Sequence, residues 1–211
     1  SGGVLQLVTP GSNAAYGTAN GALVFGAGAV SGTKFQLNGN SFTVAGLGTN
    51  GGGAGTPAVE NGATAATTLT VALAAGATDV YAGTLRNGGT GTLSLTVNGG
   101  AGSSLTLAGA NTHTGNTTVT GGNLVLAHTL ALQNSTVTTG GTGLLFDDAE
   151  ASHTFRVGGL TGSNGLALVD NGGNAVTLSV GGANATQTYT GALSGTGGLT
   201  KTGTAQFSLG G

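Results

Sequence analysis

Between Phe146 and Phe155 the chain reads FDDAEASHTF, which brings Asp147, Asp148, Glu150 and His153 together in a chain with only six Asp and Glu. Carboxylates at this spacing could hold a hard cation, or share acid and base duties in cleaving a polysaccharide. A solvated loop between two strands accounts for the same residues without any chemistry. The stretch that aligns with it earlier in the chain, NGNS at 38–41, has no carboxylate, and a depolymerising groove needs several acidic and basic groups along its length. We therefore read the cluster as a loop. An enzyme working through Asp147 and Asp148 remains the weaker reading, one that predicts loss of turnover in Asp147→Ala or Asp148→Ala.

The other reactive residue types are isolated. Asp79, in GATDVY, resembles one turn of a calcium-binding nonapeptide, but such sites need an acid in successive coils and only one occurs. His113 and His128 have no partners at metal-ligand spacing and read as surface histidines. Asn116-Thr117-Thr118, Asn134-Ser135-Thr136 and Asn184-Ala185-Thr186 are formal glycosylation sequons, of a kind that arises easily in an Asn- and Thr-rich chain. Tyr16, Tyr81 and Tyr189 are the large amphipathic rings available for stacking on a sugar, and Tyr81 and Tyr189 recur in equivalent contexts, which favours a core role. We assign no catalytic, cofactor-binding or metal-binding residue, and expect no enzyme and no cofactor.

Composition narrows the partners. The 211 residues suffice for one sizeable core. Only 5% are charged and the formal net charge is −2, so Thr, Ser, Asn and backbone must supply the polar surface. With 38% hydrophobic residues the chain lacks the signature of disorder. Four cations, Lys34, Arg86, Arg156 and Lys201, are scattered along the sequence, too few to replace counterions on nucleic acid. There is no Cys, hence no disulfide frame and no thiolate site. The longest apolar run, Ala22 to Val30, is too short to cross a bilayer, and no membrane insertion is expected. A start at Ser1 and the absence of Met fit removal of a leader and secretion.

The elements that would carry these residues are strands. Apolar alternation with period two recurs in KFQL, FTV, TLTVAL, TLSLTV, SLTLAG, NLVL, TFRV, VTLSV and FSL. Between these runs lie Asn38-Gly39, Asn50-Gly51, Asn61-Gly62, Asn87-Gly88, Asn98-Gly99, Asn164-Gly165 and Asn171-Gly172, which predict turns with positive φ. No apolar stripe has helical spacing, and 46 Gly are too many for stable helices. Four ordered pairs of segments also repeat: FTVAGL at 42–47 with FRVGGL at 155–160, TLTVA…YAGTL with TLSV…YTGAL, SLTLAG with QFSLGG, and SGGVLQL with TGGNLVL. Offsets of roughly 100 to 120 residues imply two degenerate copies, 1–109 and 110–211, in one domain. The segment Ala110 to Val119 links them.

Short strands with small corner residues predict a solenoid of coils stacked about 4.8 Å apart through parallel pairing. Leu, Val and Phe would point inward, while Thr, Ser and Asn would form ladders outside. Two antiparallel β-sandwiches, one per copy, are the alternative, since Asn-Gly also makes hairpins. GGLTKTGTAQFSLGG and LTLAGANTHTGNTTVTGGNLVL resemble the autotransporter-associated β-strand repeat, also called the passenger-associated transport repeat. The match rests on Gly198 to Lys201 and Gly203 in one copy, and on Gly109 to Thr112, Thr114, Gly115, Thr117, Thr118 and Gly122 in the other. That resemblance implies a right-handed parallel β-helix outside the cell with a structural or adhesive role. The functional expectation is a secreted structural subunit that associates with itself, head to tail through its N- and C-terminal coils, into an extracellular filament or fibre. The alternative is the passenger or stalk of a surface adhesin that touches a glycan or host receptor.

Overall fold

The protein is described by a computed structural model over residues 3–6, 21–50, 55–140 and 143–211. Those residues form strands, numbered here in chain order, and no helix. One long sheet runs through eight successive coils. It comprises β4 (Phe42–Val44), β7 (Thr67–Val71), β10 (Leu93–Asn98), β12 (Thr117–Gly121), β14 (Leu132–Thr139), β16 (Thr154–Gly162), β18 (Thr177–Val180) and β21 (Gly198–Lys201). Beside β16 it is joined by β19 (Gln187–Tyr189), which in turn pairs with β22 (Phe207–Leu209). A second sheet stacks β1 (Val4–Gln6), β3 (Lys34–Gln36), β6 (Ala58–Glu60) and β9 (Thr84–Arg86), and a third stacks β8 (Thr78–Tyr81), β11 (Ser104–Leu107), β13 (Asn123–Leu126) and β15 (Gly143–Phe146). Two further pairs are β2 (Ala22–Phe25) with β5 (Gly46–Thr49), and β17 (Leu166–Ala167) with β20 (Leu193–Ser194).

Every strand pairing among the described residues is parallel. Among the same residues the sole antiparallel contact is an isolated bridge between Val169 and Ala175. Partners in neighbouring coils lie 19 residues apart at the shortest, Ser104 to Asn123, and 30 at the longest, Val4 to Lys34. This is the stacked parallel β-solenoid that the strand pattern predicts, and it rules out the pair of antiparallel sandwiches. Asn-Gly misleads toward hairpins because a left-handed corner turns a coil as readily as it reverses a strand. Asn38 with Gly39, Gly62 and Gly88 do have positive φ. Their corners stack, with Asn38 N donating to Asn61 O and Asn61 N donating to Asn87 O. At Asn98-Gly99, Asn164-Gly165 and Asn171-Gly172 the expected positive φ is not found at either residue; in the last corner Gly173 takes it instead. Gly51 of the Asn50-Gly51 pair lies outside the described residues, as does Tyr16.

The core follows from in-register alternation. Along the long sheet Phe42, Leu69, Leu95, Thr117, Val137 and Leu160 form one column, while Val44, Val71, Val97, Val119 and Thr139 form the next. Leu69, Val71, Val97, Val119, Val137 and Leu160 are completely buried, each worth about 1.5–3 kcal/mol of transfer free energy. Between these columns Thr43, Thr70, Thr96, Thr118, Thr138 and Thr161 face outward in unbroken register. The alternation of apolar residues with Thr in FTV, LTV and VTT is therefore the alternation of core with surface.

The coils change near residue 110. The second sheet ends with β9, and the segment Ala110–Thr114 takes the next place above it without being a strand. Thr112 N and His113 N both donate to Leu85 O. Asn111 does the bridging: its Oδ1 accepts from Leu85 N at 2.7 Å in the coil below, and its Nδ2 donates to Ala131 O at 2.9 Å in the coil above. An amide thus replaces the backbone ladder where the chain is not extended.

Candidate functional site

The acidic corner is assembled as a set of loop caps. Asp147 Oδ1 accepts from Ala149 N at 2.9 Å, and Glu150 Oε2 accepts from Thr129 N at 2.8 Å in the preceding coil. Glu150 Oε1 also accepts from Ser152 Oγ. The Thr129 amide, with help from the Ser152 hydroxyl, holds the Glu150 carboxyl below its ordinary pKa against the opposing effect of burial. His153, held at φ 44°, meets Asp170 in the next coil, where Nδ1 lies 2.6 Å from Oδ2, out of line for a hydrogen bond. The Asp170 side chain is fully buried. Burial would raise its pKa, but the amide and side chain of Asn174, together with His153, outweigh that and keep it low. Asp170 Oδ1 also accepts from Gly172 N and Asn174 N, which closes the turn. No group of three or more acidic or histidine residues among the described residues is arranged to hold a metal ion.

A carboxylate that the sequence reading passed over is tied more tightly. Glu60, on β6, is almost fully buried between β3 and β9, whose register places Gln36 and Arg86 directly opposite it. Lys34 Nζ reaches Glu60 Oε1 at 2.8 Å, and Arg86 Nη2 reaches Oε2 at 2.6 Å, with Gln36 Nε2 as a third donor. Burial pushes the Glu60 carboxyl up, but the donors from Lys34, Gln36 and Arg86 win and lower its pKa. Two of the cations that look scattered in sequence therefore meet on one acid. The spacing that could have shown this is Lys34, Glu60, Arg86, separated by one coil each time.

His113 is a correction. Predicted to lie on the surface, it is 1% exposed, because buried and exposed residues alternate along Asn111–Gly115 and His113 falls on the inward side, between the exposed Thr112 and Thr114. Its Nε2 lies 3.1 Å from Thr117 Oγ1, which lies 2.8 Å from Ser135 Oγ, which donates to Gly115 O at 2.6 Å. Since Ser135 spends its one proton on a carbonyl, Thr117 donates to Ser135 and His113 donates through Nε2–H. Nδ1 is then an acceptor without a partner. Burial pushes the His113 pKa down to about 4. Thr117 is the one polar member between Leu95 and Val137 in its column, and this chain is what satisfies it.

The remaining candidates are structural. Asp79 sits in register with the inward Leu105 and reaches back a coil, where Oδ2 accepts from Leu47 N at 2.8 Å. His128 Nδ1 accepts from Leu130 N. Asn116 and Asn184 of the sequons are exposed and Asn134 is half-buried. Asn184 Oδ1 accepts from Thr204 N and Ala205 N, so its amide ties two coils together. Tyr81 and Tyr189 are fully buried, and burial raises the pKa of both. Tyr81 donates to Pro57 O and Tyr189 to Asn164 O, each with its ring over the glycine two residues on, Gly83 and Gly191. Their strands pair alike, Tyr81 opposite Leu107 and Tyr189 opposite Leu209.

No family model matches the chain, and no curated protein or solved structure matches it either.

Proposed function

We propose that this chain is a structural subunit whose coils continue across molecules, head to tail, into an extracellular fibre. The observation that carries the reading is the state of the outermost strands among the described residues. Among them β1 and β2 at one end, and β20, β21 and β22 at the other, each pair with a described strand on one side only, which leaves a row of backbone donors and acceptors on the other. Apolar side chains accompany them: Val4 is 51% exposed, Leu5 62% and Leu209 55%. The net charge of −2 offers little repulsion between copies. Lys201, the charge on the outer strand β21, bends back onto the carbonyls of Thr202 and Gly203.

The partner of such an edge is another edge of the same spacing, so the second copy of this chain is the natural occupant. Secretion agrees with a surface that relies on Thr and Asn rather than on charge, and with the repeat resemblance. The test is sedimentation velocity and electron microscopy of the purified 211-residue chain over a concentration series. The expected result is concentration-dependent filaments with an axial repeat of about 40 Å, eight coils at about 4.8 Å each. Monodisperse monomers at high concentration would overturn the reading.

A further inference from the structure

We propose that the outer face of the long sheet toward its C-terminal end is a groove for an acidic oligosaccharide, with Arg156 pairing with a sugar carboxylate. An open cleft of about 430 Å³ lies over β16, β18 and β21. Its floor is set by register: Thr154 stands opposite Thr177, and Arg156 opposite Ser179, which stands opposite Thr200. Thr202 and the Gln133–Asn134 segment form its flanks. The lining is thus hydroxyls and amides around one guanidinium.

Arg156 is available for a ligand. The ion pairs among the described residues join Lys34 and Arg86 to Glu60 and His153 to Asp170, and Arg156 takes part in none. Of the acids of the adjoining corner, Glu150 is committed to Thr129 and Ser152, Asp147 to Ala149 and Asp170 to its own turn. Lys34 and Arg86, in contrast, are both engaged by Glu60, and Lys201 Nζ is turned onto the carbonyls of Thr202 and Gly203, so Arg156 is the cation among the described residues whose side chain has no ion pair or hydrogen bond.

The ligand class follows from what the groove has and lacks. A single guanidinium cannot track a phosphate backbone, which excludes nucleic acid. Besides those polar residues the cleft is lined by Val157 and Gly182, so a peptide would find no pocket for an apolar anchor. Hydroxyls repeat from coil to coil about 4.8 Å apart, which suits a ligand that repeats its own hydroxyls along its length. A planar guanidinium takes a carboxylate through two parallel hydrogen bonds. A short run of uronic acid residues meets all of these conditions.

The site lies on the side face of the solenoid and reaches β21 at its C-terminal end, so it is tested on the monomer, where the fibre plays no part. The experiment is calorimetric titration of the chain, kept dilute enough to be monomeric, with trigalacturonate, maltotriose and acetate. Trigalacturonate should bind at least about tenfold more tightly than either control, and more weakly as salt is raised. Arg156→Ala should lower its affinity at least about tenfold, with Arg156→Lys in between. Thr177→Tyr, an exposed position where the ring would fill the cleft, should abolish binding with the charge intact. Circular dichroism of each variant reports whether the fold is unchanged. Equal binding of maltotriose, acetate binding as well as the trimer, an unaffected Arg156→Ala, or no binding at millimolar trigalacturonate would each overturn the proposal.

Discussion

Single residues in this molecule are informative where they break the apolar pattern, and His113 breaks it most. A neutral imidazole is held in the interior by one hydrogen bond to Thr117, with Nδ1 unpaired and its pKa lowered to about 4. The unfolded chain, with an ordinary histidine near 6.5, binds the proton more readily than the folded one. The stabilisation from His113 is therefore complete above about pH 6.5 and is lost as the pH falls toward about 4, a decline of about 3 kcal/mol. Urea unfolding at pH 7 and at pH 4.5 should show most of that loss, and His113→Gln should flatten the profile between these values. A profile as steep in the variant as in the wild type would place the titrating group elsewhere. Glu60 titrates in a separate window: its pKa is lowered from 4.5, so its contribution fades only as the pH drops below that value.

At the scale of elements, the coil corners decide stability, because the strands between them are short and interchangeable. Asn111 is the clearest case, since its amide satisfies a buried donor below and a buried acceptor above. Asn111→Ala would orphan Leu85 N and Ala131 O together, at about 1–3 kcal/mol each. The expected result is a loss of about 2–5 kcal/mol in unfolding free energy, with hydrogen exchange accelerated first between β9 and β14. A loss below about 1 kcal/mol would mean that water or a backbone shift replaces the amide. Glycine corners carry a related constraint: a Cβ at Gly83 would collide with Pro57 O and the Tyr81 ring. These facts also mark what was legible beforehand. Alternation in FTV, TLTV and LSLTV gave away the strands and their inward faces, because period two is a local property. Short strands with small corner residues pointed to stacking, and the recurrence of Tyr81 and Tyr189 in equivalent contexts to the core. Asn111 and Glu60 were opaque because their partners sit 20 to 26 residues away, one coil removed, and His113 because the Ser135 that completes its chain through Thr117 lies in the next coil. Reading them required the coil length, and that length varies from 19 to 30 residues along the chain.

Over the whole molecule, cohesion comes from repetition along one axis, and each coil depends on its two neighbours for both backbone pairing and burial. The outermost coils have one neighbour, which is why Leu5 and Leu209 are exposed while their equivalents inside the stack, Phe35 and Tyr189, are buried. Covering those ends by another copy would bury apolar area and pair backbone at once, and neither gain relies on charge. Assembly should therefore persist or strengthen when salt is raised from 50 to about 500 mM, where an assembly built on ion pairs would weaken. Leu209→Lys tests the same contact from the other side. A lysine at an exposed position on an outer strand leaves the monomer's core untouched, yet it must be desolvated when a second copy docks. The variant should keep the wild-type circular dichroism and unfolding midpoint as a monomer while its filaments disappear from sedimentation at concentrations where the wild type assembles. Filaments of Leu209→Lys at the wild-type threshold would show that the C-terminal edge is not the surface through which copies meet.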